Sequence, residues 1–263
     1  MYFDILRNLL ALKTRYFLHL AFRGTRYSGW QRQKNGQSVQ QILEESLASV
    51  WRFKGSLHAC GRTDAGVHAH NFYCHLDVTT SIFPELIQRL NRSLPGDIAI
   101  RNIFEVEGDA NAQHDALSRT YKYRIHVSKD PQLEFYSTWL PGLTICPEKI
   151  NMVLDALKGE WDYRGFCLQP GKHDSTICHI REAMLEKKED RLEWTFTADR
   201  FLKGMIRLLV RRLHDVGAGI ISGDDFLEIL QTGSDPYPYR KRMPPQGLSL
   251  VRVEYPFDVP YIS

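Results

Sequence analysis

The segment Arg119-Thr120-Tyr121-Lys122-Tyr123-Arg124-Ile125-His126-Val127 alternates without a break. An extended strand, whose successive side chains point to opposite faces, turns such alternation into two distinct surfaces. Tyr121, Tyr123, Ile125 and Val127 fall on one face, and Thr120, Lys122, Arg124 and His126 on the other. The chain must therefore build a sheet with a core against one side. Further strands are expected at Tyr16 to Phe22, Ser56 to Cys60, Phe72 to Val78 and Ile98 to Phe104. A hairpin of Arg181 to Lys187 with Leu192 to Ala198 turns at Glu189-Asp190, and a last strand runs from Leu248 to Tyr255.

Helices lie between them. Ser38 and Gln41 read as a capping box ahead of Val39, Ile42, Leu43, Leu47 and Val50, which predicts an amphipathic helix over 38–51. Pro84 opens a helix with Leu86, Ile87 and Leu90, and Pro147 opens one that stops at Gly159. A long helix from about Arg200 ends at Gly217, and a short one runs from Asp224 to Gln231. The same order of elements occurs twice. This predicts an α+β protein with a central sheet, in two similar halves of mainly antiparallel strands with covering helices. The divisions are an N-terminal extension over 1–13, a first half over 14–118 and a second over 119–263.

With 263 residues, 43% of them hydrophobic, the chain has ample material for a core. Its formal charge of +3 sets 34 basic against 31 acidic residues, so the total does not announce a nucleic-acid partner and placement must carry that argument. Five cysteines, at 60, 74, 146, 167 and 178, form no disulfide framework and suit a reducing, cytoplasmic setting. Met1 to Leu12 is apolar but interrupted by Asp4, Arg7 and Asn8, too short for a bilayer span and without a cleavage pattern.

One stretch carries chemistry. At Ala59-Cys60-Gly61-Arg62-Thr63-Asp64-Ala65-Gly66-Val67-His68 a strand gives way to a loop holding a carboxylate between two glycines. Glycine tolerates positive φ, and Thr63 and Asp64 can bond their own backbone, so the loop is built to present Asp64. This decapeptide resembles the signature of the tRNA pseudouridine synthase A family. The segment Tyr27-Ser28-Gly29-Trp30-Gln31-Arg32-Gln33 is similar to that family's opening motif, and such motifs cover the chain from Tyr16 to Pro256.

The resemblance implies two halves joined sheet to sheet around a basic cleft, a homodimer, and isomerisation of uridine to pseudouridine in the anticodon arm of tRNA, at positions 38 to 40. The reaction needs no metal and no nucleotide cofactor. It implies Asp64 as nucleophile, Arg207 as the arginine paired with it, Tyr121 of Arg-x-Tyr-x-Tyr stacking on the uracil, and Leu248 as the apolar floor under the base. The pairing has a physical purpose, since desolvation pushes a carboxylate towards its neutral form and a nearby guanidinium favours the anion. Arg62, beside the nucleophile, would fill the place of the flipped base. Trp30, between Arg26 and Arg32, could stack on bases. Arg200, Lys203, Arg207, Arg211 and His214 recur at helical spacing and would line one face. Lys122, Arg124, Lys203 and Arg211 are then the expected phosphate contacts.

Two readings compete with this one. His58, Cys60, His68, His70, Cys74 and His75 lie close in sequence and could be imagined around zinc, although alternation sends several to opposite faces and no pair has CxxC or HxxxH spacing. A non-catalytic RNA-binding relative, or a synthase with another RNA target, would keep the basic residues; loss of the nucleophile would mark the former, and Asp64 is present. The chain also departs from the family pattern. Asn111-Ala112-Gln113-His114 stands where Ala-Arg-Phe is common, Arg23 replaces an acidic residue, Leu208 a polar or small one, Arg211-Arg212 a small pair, and Asn71-Phe72 a Gly-Gln. Arg211, four residues after Arg207, is expected to contact RNA unless it pairs with an acidic neighbour.

Overall fold

The computed structural model describes residues 13–143, 145–237 and 241–259, so the expected extension lies almost wholly outside the described residues. The chain forms two compact units, Met1–Leu117 with Val251–Ser263, and Ser118–Leu250. The order of elements alone had divided the chain at 118/119 and left the last residues with the second half. Hydrogen bonds explain where they go: Asn71 Nδ2 donates to Val251 O at 2.7 Å, Leu117 N to Glu254 O at 2.8 Å, and Tyr255 Oη to Ala112 O at 2.7 Å.

The first unit contains β1 (Thr14–Phe22), α1 (Val39–Trp51), β2 (His58–Ala59), β3 (His68–Val78), α2 (Leu86–Ser93) and β4 (Ile98–Glu105). β1 lies between β4 and β3, antiparallel to both, and β2 pairs with β3. β3 is buried on both faces from Phe72 to Leu76, so Tyr73 and His75 are as enclosed as Phe72 and Cys74. α1 buries Val39, Leu43, Leu47 and Trp51, one per turn, the last against Tyr16 at 5.5 Å between ring centres. Ser38 caps it by accepting from Gln41 N at 3.2 Å. The other half of the expected capping box is not made, because the Gln41 side chain donates to Glu45 Oε1 instead.

The second unit contains β5 (Ser118–His126), β6 (Thr138–Trp139), α3 (Pro147–Ala156), β7 (Gly159–Asp162), β8 (Ile177–Lys188), β9 (Arg191–Ala198), α4 (Met205–Gly217) and α5 (Gly223–Thr232). β5, β9, β8 and β7 are antiparallel neighbours in that order, and β6 runs parallel to β5. β10 (Leu248–Glu254) spans the division, with 248–250 in the second unit and 251–254 in the first. The fold is thus α+β with mostly antiparallel strands. The polar face of β5 is only partly wet, since Thr120 and His126 are buried, bonded to Thr197 and Ser137 at 2.9 Å each.

Candidate active site

The 60–68 loop is tied down along its length. Trp30 N donates to Thr63 O and Gly66 N to Tyr27 O, both at 3.2 Å, while Gly24 N donates to His68 Nδ1 at 2.9 Å. Val67 N donates to Asp64 O at 3.2 Å, closing a turn in which Gly66 has φ +81°. The loop passes so close to Gly29 (φ +90°) that a Cβ there would lie 2.4 Å from Thr63 O. Only glycine fits at that position. Gly61 makes no such demand: its φ is not positive and the space around it is open. Asp64 is half-buried, Thr63 buried and Arg62 exposed.

Glu44, Gln40 and Asp97, unmarked by the sequence motifs, help to hold this scaffold. Glu44, buried on α1, accepts from Arg32 Nη1 at 3.0 Å, Gln40 Nε2 at 2.9 Å and Leu57 N at 3.1 Å, linking the 32 segment to the approach to the loop. Gln40 accepts Arg32 N at 3.0 Å. The only trace of this in the sequence is that Gln40 and Glu44 lie one helical turn apart beside the Val39-Leu43-Leu47 stripe. Tyr27 donates to the buried Asp97 at 2.5 Å, and burial followed by that bond pushes the phenol pKa up. Trp30 is 1% exposed, packed 4.3 Å from Phe72 between ring centres. It is a core residue, and the expected base stacking by Trp30 is corrected accordingly.

In the second unit Tyr121 is buried on β5, edge-on to Phe201 at 5.3 Å. Tyr123 donates to Pro244 O at 2.8 Å and takes the Thr138 hydroxyl at 2.6 Å. Arg207 is 8% exposed in the first turn of α4; its Nε donates to Met243 O at 2.6 Å and its carbonyl accepts Met243 N at 3.1 Å. Leu248, also buried, begins β10.

The expected basic stripe is only partly helical. α4 starts at Met205, with Gly204 at φ +73° as its cap, so Arg200 and Lys203 precede the helix and do not share its face. A Cβ on Gly204 would also meet Leu168 at 2.9 Å. Lys203 is exposed and donates to Gln169 Oε1 at 3.2 Å. Arg211 pairs with Asp215 at 3.0 Å, the acidic-neighbour alternative. Lys122 and Arg124 share Glu193 at 2.5 and 2.6 Å. Burial raises the Glu193 carboxyl pKa, but these two cations outweigh it and the net shift is downward.

His68, His75 and Cys74 of the zinc reading are spent on structure. His68 Nδ1 takes the Gly24 amide, and His75 Nδ1 takes that of Ala112 at 3.1 Å. Burial, with Arg15 and His58 nearby, holds the His75 pKa down at about 4, and burial drives the Cys74 thiol well up. Among the described residues no three His, Cys, Asp or Glu side chains converge as a metal site.

Residues 153–256 match the model of a family described as tRNA pseudouridine synthase, and the class is that of RNA-uridine isomerases. The likeness extends over nearly the whole chain. The tRNA pseudouridine synthase A of Porphyromonas gingivalis is 38% identical over 256 residues, covering 93% of this chain and 98% of that protein. Its namesake from Parabacteroides distasonis is 38% identical over 247 residues (93% and 97%), and that from Gloeobacter violaceus 35% over 244 (92% and 80%). The chain belongs to the tRNA pseudouridine synthase A family. A solved structure titled "Crystal Structure of a Cbf5-Nop10-Gar1 Complex" aligns at TM-score 0.35 and 9% identity over 75% of this chain and 53% of that one, and nothing is drawn from so slight a likeness.

Proposed function

We propose that this enzyme converts uridine to pseudouridine at positions 38 to 40 of the tRNA anticodon arm, with Asp64 as nucleophile. The supporting observation is the loop itself: within a chain of this family, the carboxylate of the family signature sits half-buried on a turn anchored by three hydrogen bonds to the 24–30 segment. Such anchoring fixes a reactive group without reorganisation at the moment of reaction. Attack by Asp64 breaks the N1–C1′ bond, leaving its electron pair on the uracil. The base turns, C5 bonds to C1′ as the Asp64–C1′ bond breaks and frees the carboxylate, the C5 hydrogen leaves as a proton and N1 gains one, so the product is an isomer. Arg207 keeps the carboxylate anionic, Tyr121 stacks on the base, Leu248 supports it and Arg62 occupies the vacated stack.

Incubation with tRNA tritiated at uracil C5 should release tritium, and Asp64→Asn should abolish release while tRNA binding stays within about twofold. Retained turnover in Asp64→Asn would overturn the nucleophile assignment. Phosphate contacts are assigned to Lys203 ahead of Lys122, Arg124 and Arg211, whose charges already have carboxylate partners. Lys203→Ala should lower the log–log salt slope of tRNA binding by about 0.9, and Lys122→Ala by clearly less. Equal changes would sink that ranking.

Two further parts of the reading are association of two copies and residence in the cytoplasm. For the first, light scattering should give twice the 30.5 kDa chain mass, and a mass of one chain would exclude it. Free cysteines at all five positions suit the second, and no helix among the described residues is long and apolar enough to cross a membrane.

A further inference from the structure

β4 carries one residue more than the strand it pairs with. His19 of β1 lies opposite Asn102 and Leu20 opposite Ile100, so Arg101 is an extra residue between two pairs, a bulge on the edge strand of the first unit. A bulge bends its strand and re-aims the side chain at that point. Here Arg101 reaches across β1, which lies between the two strands, and its Nη1 donates to Asn71 Oδ1 on β3 at 3.1 Å.

The Asn71 amide is fixed from three sides. Its Nδ2 donates to Val251 O at 2.7 Å, which leaves Oδ1 to face two donors, Arg101 Nη1 and, at 2.8 Å, His19 Nε2. Turned round, the amide would set N–H against N–H and its oxygen against a carbonyl. His19 is wholly buried and stacked on Tyr73 at 4.7 Å between ring centres. Burial lowers its pKa, the bond to Asn71 offsets part of that and Arg101 adds to it, so the ring is neutral near pH 7. The cluster therefore holds a single charge, on Arg101.

That charge is half-buried, and among the described residues no carboxylate pairs with it. Other arginines of this unit have one: Arg15 meets Asp77 at 2.7 Å and Arg32 meets Glu44 at 3.0 Å. His19 and Tyr16, the residue on which α1 packs, fall on opposite faces of β1, so Arg101 and Asn71 lie on the face that α1 leaves uncovered. Asn71 stands three residues beyond His68, where the Asp64 loop ends and β3 begins, or about 10 Å along the strand. It is also one of the residues by which the chain departs from the family pattern. A guanidinium held through one donor keeps the rest of its planar fork for an anion brought from outside, and a phosphate fits that fork.

We propose that Arg101 is a tRNA-binding residue, aimed by the β4 bulge and held by Asn71 to take a backbone phosphate of the strand that carries the target uridine. This rests on tRNA as the substrate, but not on which uridine or which nucleophile is used. Binding of a fluorescently labelled tRNA transcript, followed by anisotropy over a range of KCl concentrations, reads the contact directly. Arg101→Gln should weaken binding about fivefold and lower the log–log salt slope by about 0.9, whereas Lys54→Gln, which removes an exposed cation beyond α1, should change neither. Arg101→Lys should keep the slope and lose affinity, since it retains the charge without the fork. An unchanged slope in Arg101→Gln, or an equal loss in Lys54→Gln, would overturn the proposal.

The part played by Asn71 is read from a double variant. Asn71→Ala alone should weaken binding less than Arg101→Gln does, and added to Arg101→Gln it should cost nothing more, because the group it positions is gone. Losses that multiply would refute positioning; should Asn71→Ala not fold, the two Arg101 variants still decide the contact. In tritium release Arg101→Gln should raise KM for tRNA about fivefold with kcat within about twofold, as expected of a contact made equally in the ground and transition states. Absence of turnover in an unaltered enzyme that still binds tRNA through Arg101 would refute the proposed reaction alone, and normal turnover with binding indifferent to Arg101 would refute this inference alone.

Discussion

His75 shows how much a single residue can hide from the sequence. It was legible as a polar position on an alternating strand, yet it is buried, accepts the Ala112 amide at Nδ1 and stacks on His58 at 4.9 Å between ring centres. Its pKa falls from 6.5 to about 4 on folding, chiefly through burial. The unfolded chain therefore binds the proton more tightly, and stability present above pH 6.5 is lost as pH falls towards 4. Urea unfolding across that window should show a loss of roughly 3 kcal/mol towards the acid end, and His75→Gln should flatten the curve. A curve equally steep in both proteins would exclude His75 as the source. Trp30 was misjudged for a related reason, and Arg211 takes the acidic-neighbour alternative. Residue type and spacing reveal what a side chain could touch, but its accessibility depends on partners such as Phe72 and Asp215 that are distant in sequence or unmarked by any pattern. Asp64 was legible because its short loop carries its own glycine and turn chemistry.

At the scale of elements, periodicity found the strands and helices that bury one face. The β8–β9 hairpin and α5 follow their patterns closely; α5 begins with a complete capping box between Ser222 and Asp225. β6 and β7, two and four residues long, were missed, since nothing so short carries a period. α4 was extended too far upstream because Arg200, Lys203 and Arg207 keep helical spacing across a glycine that is tolerated inside many helices. Here Gly204 is left-handed and wedged against Leu168, so the residues before it cannot be helical with those after it. Gly204→Ala should cost about 1–2 kcal/mol from the backbone conformation, plus the contact with Leu168, and lower Tm by several degrees. An unchanged Tm would mean that the cap tolerates a Cβ and that another feature starts the helix.

At the scale of the whole molecule, an α+β fold of mostly antiparallel strands was legible in the order of elements, but the destination of the last strand was not. That destination depends on bonds between residues far apart, Asn71 with Val251 and Leu117 with Glu254, which no local pattern encodes. The unit beginning at the N-terminus is therefore assembled from two stretches of chain, while the unit inserted between them is continuous. On a ribosome, the usual sequence in which an N-terminal part finishes first is reversed. Residues 118–250 can complete their unit as soon as they emerge, whereas the earlier-made unit waits for 251 onward and must close a loop of more than a hundred residues to gain its final contacts. Pulse-labelled hydrogen exchange during refolding should find the amides of β5, β8 and β9 protected before that of Leu117, whose acceptor is Glu254; Leu117 protected first would contradict this order. The time between translation of residue 117 and residue 251 is thus an interval in which an incompletely bonded β-unit must be kept from aggregating, and continuity of the inserted unit limits that exposure to one half of the enzyme.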